Sequence, residues 1–349
     1  MAGDTGGTDP EFTILLPTHA RSDVISYAIR SVLAQQEQSF ELLVVGDGAE
    51  DGTAQAVAAF KDERIVWMDL PKAPGFGYAN RNVALRKARG RYVAFLSDDD
   101  LLFPDHLSLL KRQFEKGSLL VCTLAAWVSS DGIAAPFPNN LTLPDEAAVF
   151  TGQINSTAAS CFAYRSDALD DPAAWPEDIE KAGDWHLWNK ILAAHPKVPL
   201  AVSRTYSVLH FAARRLALRH SGMPELEVLL RYADHSDWWP DILRADLSTG
   251  LTEQAVYNMM IENGGSDTLR DALGVVVDRL AWELIQSHLQ SQRRLLSLTT
   301  ADRAIATSVP QDFDAATYKL LNPDVATAGF DAENHWLRHG QFEDRKYRP

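Results

Sequence analysis

Cysteine is scarce in this chain: Cys122 and Cys161 are the only two in 349 residues, far apart and without metal-type spacing. A disulfide framework and a zinc cluster are thereby excluded, and both thiols sit in apolar surroundings that suit burial. Basic residues are outnumbered by acidic ones, 33 to 47, for a net charge of −14. General nucleic-acid binding leans on a Lys/Arg surplus, so that class is excluded, although one local basic pocket is not. No apolar run reaches the roughly 18 residues of a membrane span, and no charged start leads into an apolar stretch as in a secretory signal. A cytoplasmic protein is expected, with association at the inner face of a membrane left open. Fixed-period repeats and low-complexity tracts are also absent.

What is present is length and an ordinary globular balance. At 349 residues, with 46% hydrophobic and 23% charged, the chain can build a large core and should divide into two or three units. Residues 1–11, rich in Gly, Thr and Asp, read as a flexible leader or an appended segment. From Phe12 strand-like and helix-like stretches alternate. Phe12–Leu16, closed by Pro17, Glu41–Val45, Ile65–Met68 and Tyr92–Leu96 are apolar strands. Asp23–Gln35, Thr53 to about Phe60, and Tyr78–Ala88 carry helical spacing between them. Near-continuous apolar strands in a βαβαβαβ order predict a mostly parallel α/β sheet with helices on both faces.

Ligands of such sheets sit outside the carboxyl ends of the strands. The residues there are Pro17-Thr18-His19-Ala20-Arg21, Gly46-Asp47-Gly48, Asp69-Leu70 and Ser97-Asp98-Asp99-Asp100. Three adjacent carboxylates repel one another unless something positive lies between them. A divalent cation holding a phosphate-bearing substrate is one reading; a solvated cluster capping the helix that follows is the other.

Downstream, Leu119–Thr123, Ala158–Tyr164 and Leu200–His210 read as strands, Pro136–Asn140 as a loop, and Asp178–Ala194 as a helix. From about Phe211 helices take over: Arg214–His220, Glu225–Ala233, Thr252–Glu262 and a long one from Thr268 to about Leu296. The expected organisation is 12–211 as one domain with halves 12–110 and 111–211, a helical extension over 212–300, and a short module over 301–349. A homo-oligomer through the C-terminal helices stays open.

Phe12–Leu110 resembles the nucleotide-sugar half of family 2 glycosyltransferases, which have the GT-A (Rossmann-like) fold. The matching pieces are the first strand with Pro17–Arg21, Gly46-Asp47-Gly48 with Asp51-Gly52, Ala79-Asn80-Arg81-Asn82, Gly90–Leu96 into the acids, and Pro104-Asp105-His106-Leu107. Arg165–Leu169 and Ala182–Trp188 are similar to the acceptor half, so the resemblance runs to about His210. Tyr318–Val325 and His335–Gly340 look like a module of bacterial surface-polysaccharide proteins. Two positions depart from the pattern: Ser97 stands where the metal motif usually starts with Asp, and Gly183 where many members have Glu.

The resemblance implies a metal-dependent, inverting transfer of a sugar from a nucleotide diphosphate, a UDP-sugar first among donors, to a carbohydrate or other hydroxyl acceptor in polysaccharide or glycoconjugate synthesis. It assigns Asp99 to Mn2+ or Mg2+, with Asp98 and Asp100 orienting the donor or supporting the ligands from behind. Pro17, Thr18 and Arg21 are expected at base, ribose or phosphate. Asp47 is a base-binding acceptor or a plain turn residue, and Arg81 pairs with a phosphate or one of the three acids. Asp184 is the candidate base or a first-turn helix acid; His210 is a metal ligand or structural. Trp185 and Trp188 are a sugar-stacking face or core. A sugar-nucleotide binder acting through its C-terminal regions is the competing class. A nucleotidyltransferase is disfavoured, since Pro17–Arg21 is no Gly-rich phosphate loop.

Overall fold

Apolar runs that alternate with helical spacing fold as their order predicts. A computed structural model describes residues 9–137, 140–171, 175–198, 200–211, 224–262, 264–301, 308–343 and 345–348. Its first half is β1 (Phe12–Thr18), α1 (Ile25–Leu33), β2 (Phe40–Asp47), α2 (Thr53–Ala58), β3 (Ile65–Leu70), α3 (Tyr78–Leu85) and β4 (Tyr92–Phe95). The strands pair in parallel, Phe12 against Phe40 and Tyr92, Leu42 against Ile65, so their carboxyl ends share one edge. Ile25, Ala28, Ile29 and Val32 recur on one face of α1 and are buried there.

The second half is β5 (Leu101–Leu102), α4 (His106–Phe114), β6 (Leu120–Val128), β7 (Ala134–Pro136), α5 (Pro144–Gly152), β8 (Phe162–Arg165), α6 (Gly183–Ala194) and β9 (Ala201–Phe211). The sheet order is β3-β2-β1-β4-β8-β6-β9-β5, with β7 beside β6. Among the described residues here, only β6 and β9 pair in parallel; β4–β8, β6–β8, β6–β7 and β5–β9 are antiparallel. The parallel expectation thus holds for the first half, while the second half is mixed.

Three elements differ from the periodicity reading. The strand expected over Ala158–Tyr164 opens with a 3-10 turn, Ala159–Cys161, because Ser160 is turned inward onto a buried carboxylate. The helix expected from Asp178 begins only at Gly183, since Ala182 is held in the left-handed region (φ 61°). The strand at Leu119–Thr123 runs on to Val128, its apolar continuation pairing with β9.

Then come α7 (Pro224–His235), α8 (Thr252–Ile261), α9 (Gly265–Ala301), α10 (Ala315–Leu321), α11 (Pro323–Thr327) and α12 (Ala332–His335). The helix expected at Arg214–His220 lies outside the described residues. Two compact units divide inside α9, Met1–Asp278 and Arg279–Pro349, whereas the composition changes suggested breaks at 211 and 300. In the first unit Leu226, Leu230, Val256, Met260, Leu269 and Leu273 are buried, and Arg270 pairs with Asp105 while donating to the Tyr206 carbonyl (2.7 Å). The second has a small core of Tyr318, Val325, Ala332 and Trp336. Among the described residues no helix is long and apolar enough to cross a membrane.

Candidate functional site

A pocket of about 480 Å3 opens at the carboxyl edge of β1–β4. Pro17, Thr18, Arg21, Asp47, Arg81, Asp98 and Asp99 line it; Asp100, Asp184 and His210 do not. A smaller hollow of about 240 Å3 lies between Pro104–Asp105 and the start of α9, where Arg270 is already paired with Asp105 and Asp267.

The acids follow β4 directly. Arg21 spans two of them, its Nε 3.6 Å from Asp98 and its Nη2 3.3 Å from Asp99. Burial raises the Asp98 carboxyl against the pull of Arg21. Burial, then the charges of Asp100 and Asp98, push Asp99 up to about 7 against Arg21 and His210. Asp100 is fully buried behind the pocket wall, engaged by Ser160, His210 and Phe211. It therefore has no direct access to a ligand in the pocket, and of its two expected places only the one behind the ligands is sterically open.

Asp47 closes β2 and is almost wholly used by the protein. Its Oδ1 accepts from the Ala73 amide (2.8 Å) and Asn80 Nδ2 (2.7 Å), and its Oδ2 from Lys72 Nζ. Gly77, at φ 73°, makes this possible, because a Cβ there would stand 2.7 Å from Asp47 Oδ2. Asp47 thus clamps the β3–α3 loop, and Lys72, with its side chain 46% exposed, carries the outward-facing charge at that end of the pocket. Lys72 went unnoticed in the sequence; the strand-end rule, carried two residues beyond β3, was the signal.

Arg81 lines the pocket but bonds no acid of the triplet among the described residues. Its Nη1 donates to Asp184 Oδ1 (2.8 Å), and its guanidinium lies over the rings of Tyr78 (5.0 Å) and Trp175 (5.6 Å). Trp175 Nε1 donates to the same oxygen (3.0 Å). The indole beside the candidate base is therefore Trp175, which carried no motif. Trp188 is buried, stacked on Phe162 (4.9 Å), and Trp185 donates its indole N–H to the Phe150 carbonyl, so both belong to packing. Trp127 too is buried within β6, away from the pocket. The Gly183 departure has a steric cause. A Cβ would lie 2.4 Å from the Tyr78 ring, whose hydroxyl accepts the Gly183 N–H (2.9 Å).

The fit to a divalent cation rests on donor chemistry. Asp98 and Asp99 offer hard oxygens at the pocket wall, with the Thr18 hydroxyl beside Asp98. No three His, Cys, Asp or Glu side chains among the described residues converge on one cation position. That suits an ion held by one or two carboxylates with phosphate oxygens and waters completing its shell, as Mg2+ commonly is.

Residues 13–171 match the profile of Glycosyl transferase family 2. This stretch is a family 2 glycosyltransferase domain. Its α/β sheet with flanking helices is the GT-A arrangement, and the matched range ends before Asp184 and His210. The glycosyltransferase domain is similar to the Succinoglycan biosynthesis protein ExoO of Rhizobium meliloti, 36% identical over 124 residues, covering 35% of each chain. It is also similar to the UDP-Glc:alpha-D-GlcNAc-diphosphoundecaprenol beta-1,3-glucosyltransferase WfgD of Escherichia coli, 38% identical over 97 residues, 28% of this chain and 38% of that one. The matches thus span little more than a third of these relatives' lengths. Among solved structures, S. aureus TarS 1-349 in complex with UDP-GlcNAc aligns over 58% of this chain and 59% of that one, with 22% identity and a TM-score of 0.46.

Proposed function

We propose that the chain is a metal-dependent, inverting glycosyltransferase. It moves a sugar from a nucleotide diphosphate, a UDP-sugar, to a hydroxyl acceptor in polysaccharide or glycoconjugate synthesis. The observation that carries this reading is the meeting of Asp98 and Asp99 with Arg21, Asp47 and Arg81 around one pocket, and the direct bond from Arg81 to Asp184. The UDP donor is supported by the named activity of the E. coli relative.

Asp99, with Asp98 beside it, would hold Mn2+ or Mg2+, which when bound supplies Lewis-acid stabilisation of the departing diphosphate. Arg21 positions both acids and offers its remaining N–H groups to phosphate. Thr18 and Asp98 contact ribose or donor sugar, and the Asp47–Lys72 pair faces the base. Asp184 removes the proton of the acceptor hydroxyl. Its Oδ1 is occupied by Arg81 and Trp175, which leaves Oδ2 for the incoming proton. One base acting opposite one leaving group makes a single displacement, hence inversion.

A thermal-shift screen of UDP-, GDP- and dTDP-sugars with and without Mn2+ tests the reading. A ligand at a hundred times its dissociation constant stabilises by about 2.7 kcal/mol, so a metal-dependent rise with a UDP-sugar is expected. Absence of any metal-dependent rise with all three classes would overturn it.

A further inference from the structure

Three side chains of α3 hold the candidate base from different directions. Tyr78 accepts the Gly183 N–H (2.9 Å), Arg81 donates to Asp184 Oδ1 (2.8 Å), and Asn82 holds Trp175, whose indole N–H reaches the same oxygen (3.0 Å). Trp175 lies on the connection between β8 and α6, outside any helix or strand. Asn82 gives its backbone the pairing that a neighbouring strand would give. Its Oδ1 accepts the Trp175 amide (3.0 Å), and its Nδ2 donates to the Trp175 carbonyl (2.8 Å). The other Nδ2 proton goes to Glu177 Oε1 (2.8 Å), so the partners fix which way the amide faces. The Trp175 ring meets Phe95 edge-on (5.3 Å between centroids, 89°), and only 2% of the residue is exposed. A phenylalanine would supply the same ring contact, so the N–H is the part of this side chain that serves Asp184 alone.

Two donors on one oxygen have a chemical consequence. The Cβ–Cγ torsion of an aspartate is broad and leaves its two oxygens interchangeable. A single N–H lets the carboxylate swing about that one contact. With Arg81 and Trp175 both on Oδ1, the lone pairs of that oxygen are engaged and an incoming proton is taken by Oδ2. We propose that Trp175, clamped by Asn82, is a positioning residue for the transfer, its indole N–H fixing which oxygen of Asp184 takes the acceptor proton. This rests on the glycosyltransferase reading above, in which Asp184 is the base.

The test uses the full chain and two readouts. The first is hydrolysis of UDP-glucose and of UDP-N-acetylglucosamine with MnCl2. Water stands in for the acceptor: its oxygen bonds the anomeric carbon as the bond to the diphosphate breaks, and Asp184 takes its proton. Trp175→Phe keeps the contact with Phe95 and loses the N–H, so kcat should fall about 10-fold, the weight of one hydrogen bond to a charged group, with KM unchanged. Asn82→Ala should also lower kcat, and the double variant should be no slower than the more impaired single one, because both changes act on the same bond. Asn82→Ala carries this readout if the Trp175 variant does not fold. In the second, the chain carries 15N-tryptophan, and the Trp175 indole cross-peak is assigned by its loss in Trp175→Phe or Trp175→Tyr. Its proton should resonate downfield at pH 8 and move upfield in Asp184→Asn, where a neutral amide replaces the carboxylate. Unchanged kcat in Trp175→Phe and Asn82→Ala overturns the inference, as does a cross-peak that Asp184→Asn leaves in place, and both results leave the glycosyltransferase reading intact. If the unaltered chain releases UDP from neither sugar nucleotide, that reading falls and the role of Trp175 with it.

Discussion

In the donor half many pocket residues stand close behind their own strand, while Asn80 and Arg81 come from α3. Thr18 and Asp47 close β1 and β2, Lys72 follows the end of β3 at Leu70, and Asp98 and Asp99 follow β4. In the acceptor half the pairings cross the chain. Arg81 and Asp184 are 103 positions apart, Asp100 and His210 110, and Asp100 and Ser160 60. The first half reads out a rule about parallel sheets; the second depends on where antiparallel β8 and the β6–β9 pair set their ends. A pocket residue of the donor half can therefore be placed from its own strand end, whereas the partners of Asp184 and Asp100 are placed only by contacts between distant segments.

The most severe way to break this contrast is at Asp184. Asp184→Asn keeps the shape and both Oδ1 partners' positions but removes the base, so transfer should fall about 10²- to 10⁴-fold while circular dichroism stays native. A rate near that of the unaltered chain would return Asp184 to the role of a first-turn helix acid. Next is the aromatic packing behind it. Trp188 is fully buried against Phe162 and Phe95, and Trp188→Ala should cost about 3–5 kcal/mol in denaturant unfolding. A small loss of stability with a large rise in KM would instead make Trp188 a sugar platform.

A third measurement probes the seam between α4 and β9. His106 is buried, bonded through Nδ1 to Ser207 Oγ (2.8 Å), and burial pushes its pKa down to about 3, with Asp105 opposing and Arg270 assisting. The unfolded chain, with an ordinary histidine near 6.5, binds the proton more readily, so stability is full above that pH and declines as pH falls toward 3. At pH 4.5 this amounts to roughly 2–3 kcal/mol, and a His106→Gln variant should lack that component in urea midpoints measured from pH 7 to pH 4.5. Equal slopes for both proteins would refute it. The smallest effect is expected at Lys72. Asp47 keeps the Ala73 amide and Asn80, so Lys72→Met should weaken nucleotide binding by less than about 5-fold in calorimetry, the size of an exposed ion pair. A loss of 100-fold would show that the donor half has no such redundancy.

What could be read in advance follows the same division. Asp98, Asp99, Thr18 and Asp47 were legible because strand periodicity places strand ends, and strand ends place ligands. Lys72 was within reach of that rule. Ser160 and Trp175 were not, because nothing local distinguishes them: Ser160 sits where apolar neighbours suggested a continuous strand, and Trp175 precedes a helix whose start was misplaced. The bond from Arg81 to Asp184 was likewise out of reach, since the triplet acids were the nearer carboxylates in sequence.

By itself the sequence determined the alternation of apolar strands and amphipathic helices, the parallel donor half, and the acids after β4, because burial periodicity is a local property of the chain. Tertiary structure decided which groups those acids and Asp184 bond, and that Asp100 lies behind the pocket rather than in it. It also settled why Gly183 replaces a larger residue, through the Tyr78 ring packed on it. These depend on hydrogen bonds and close contacts between segments about a hundred residues apart, whose geometry is set only once the sheet has closed its register.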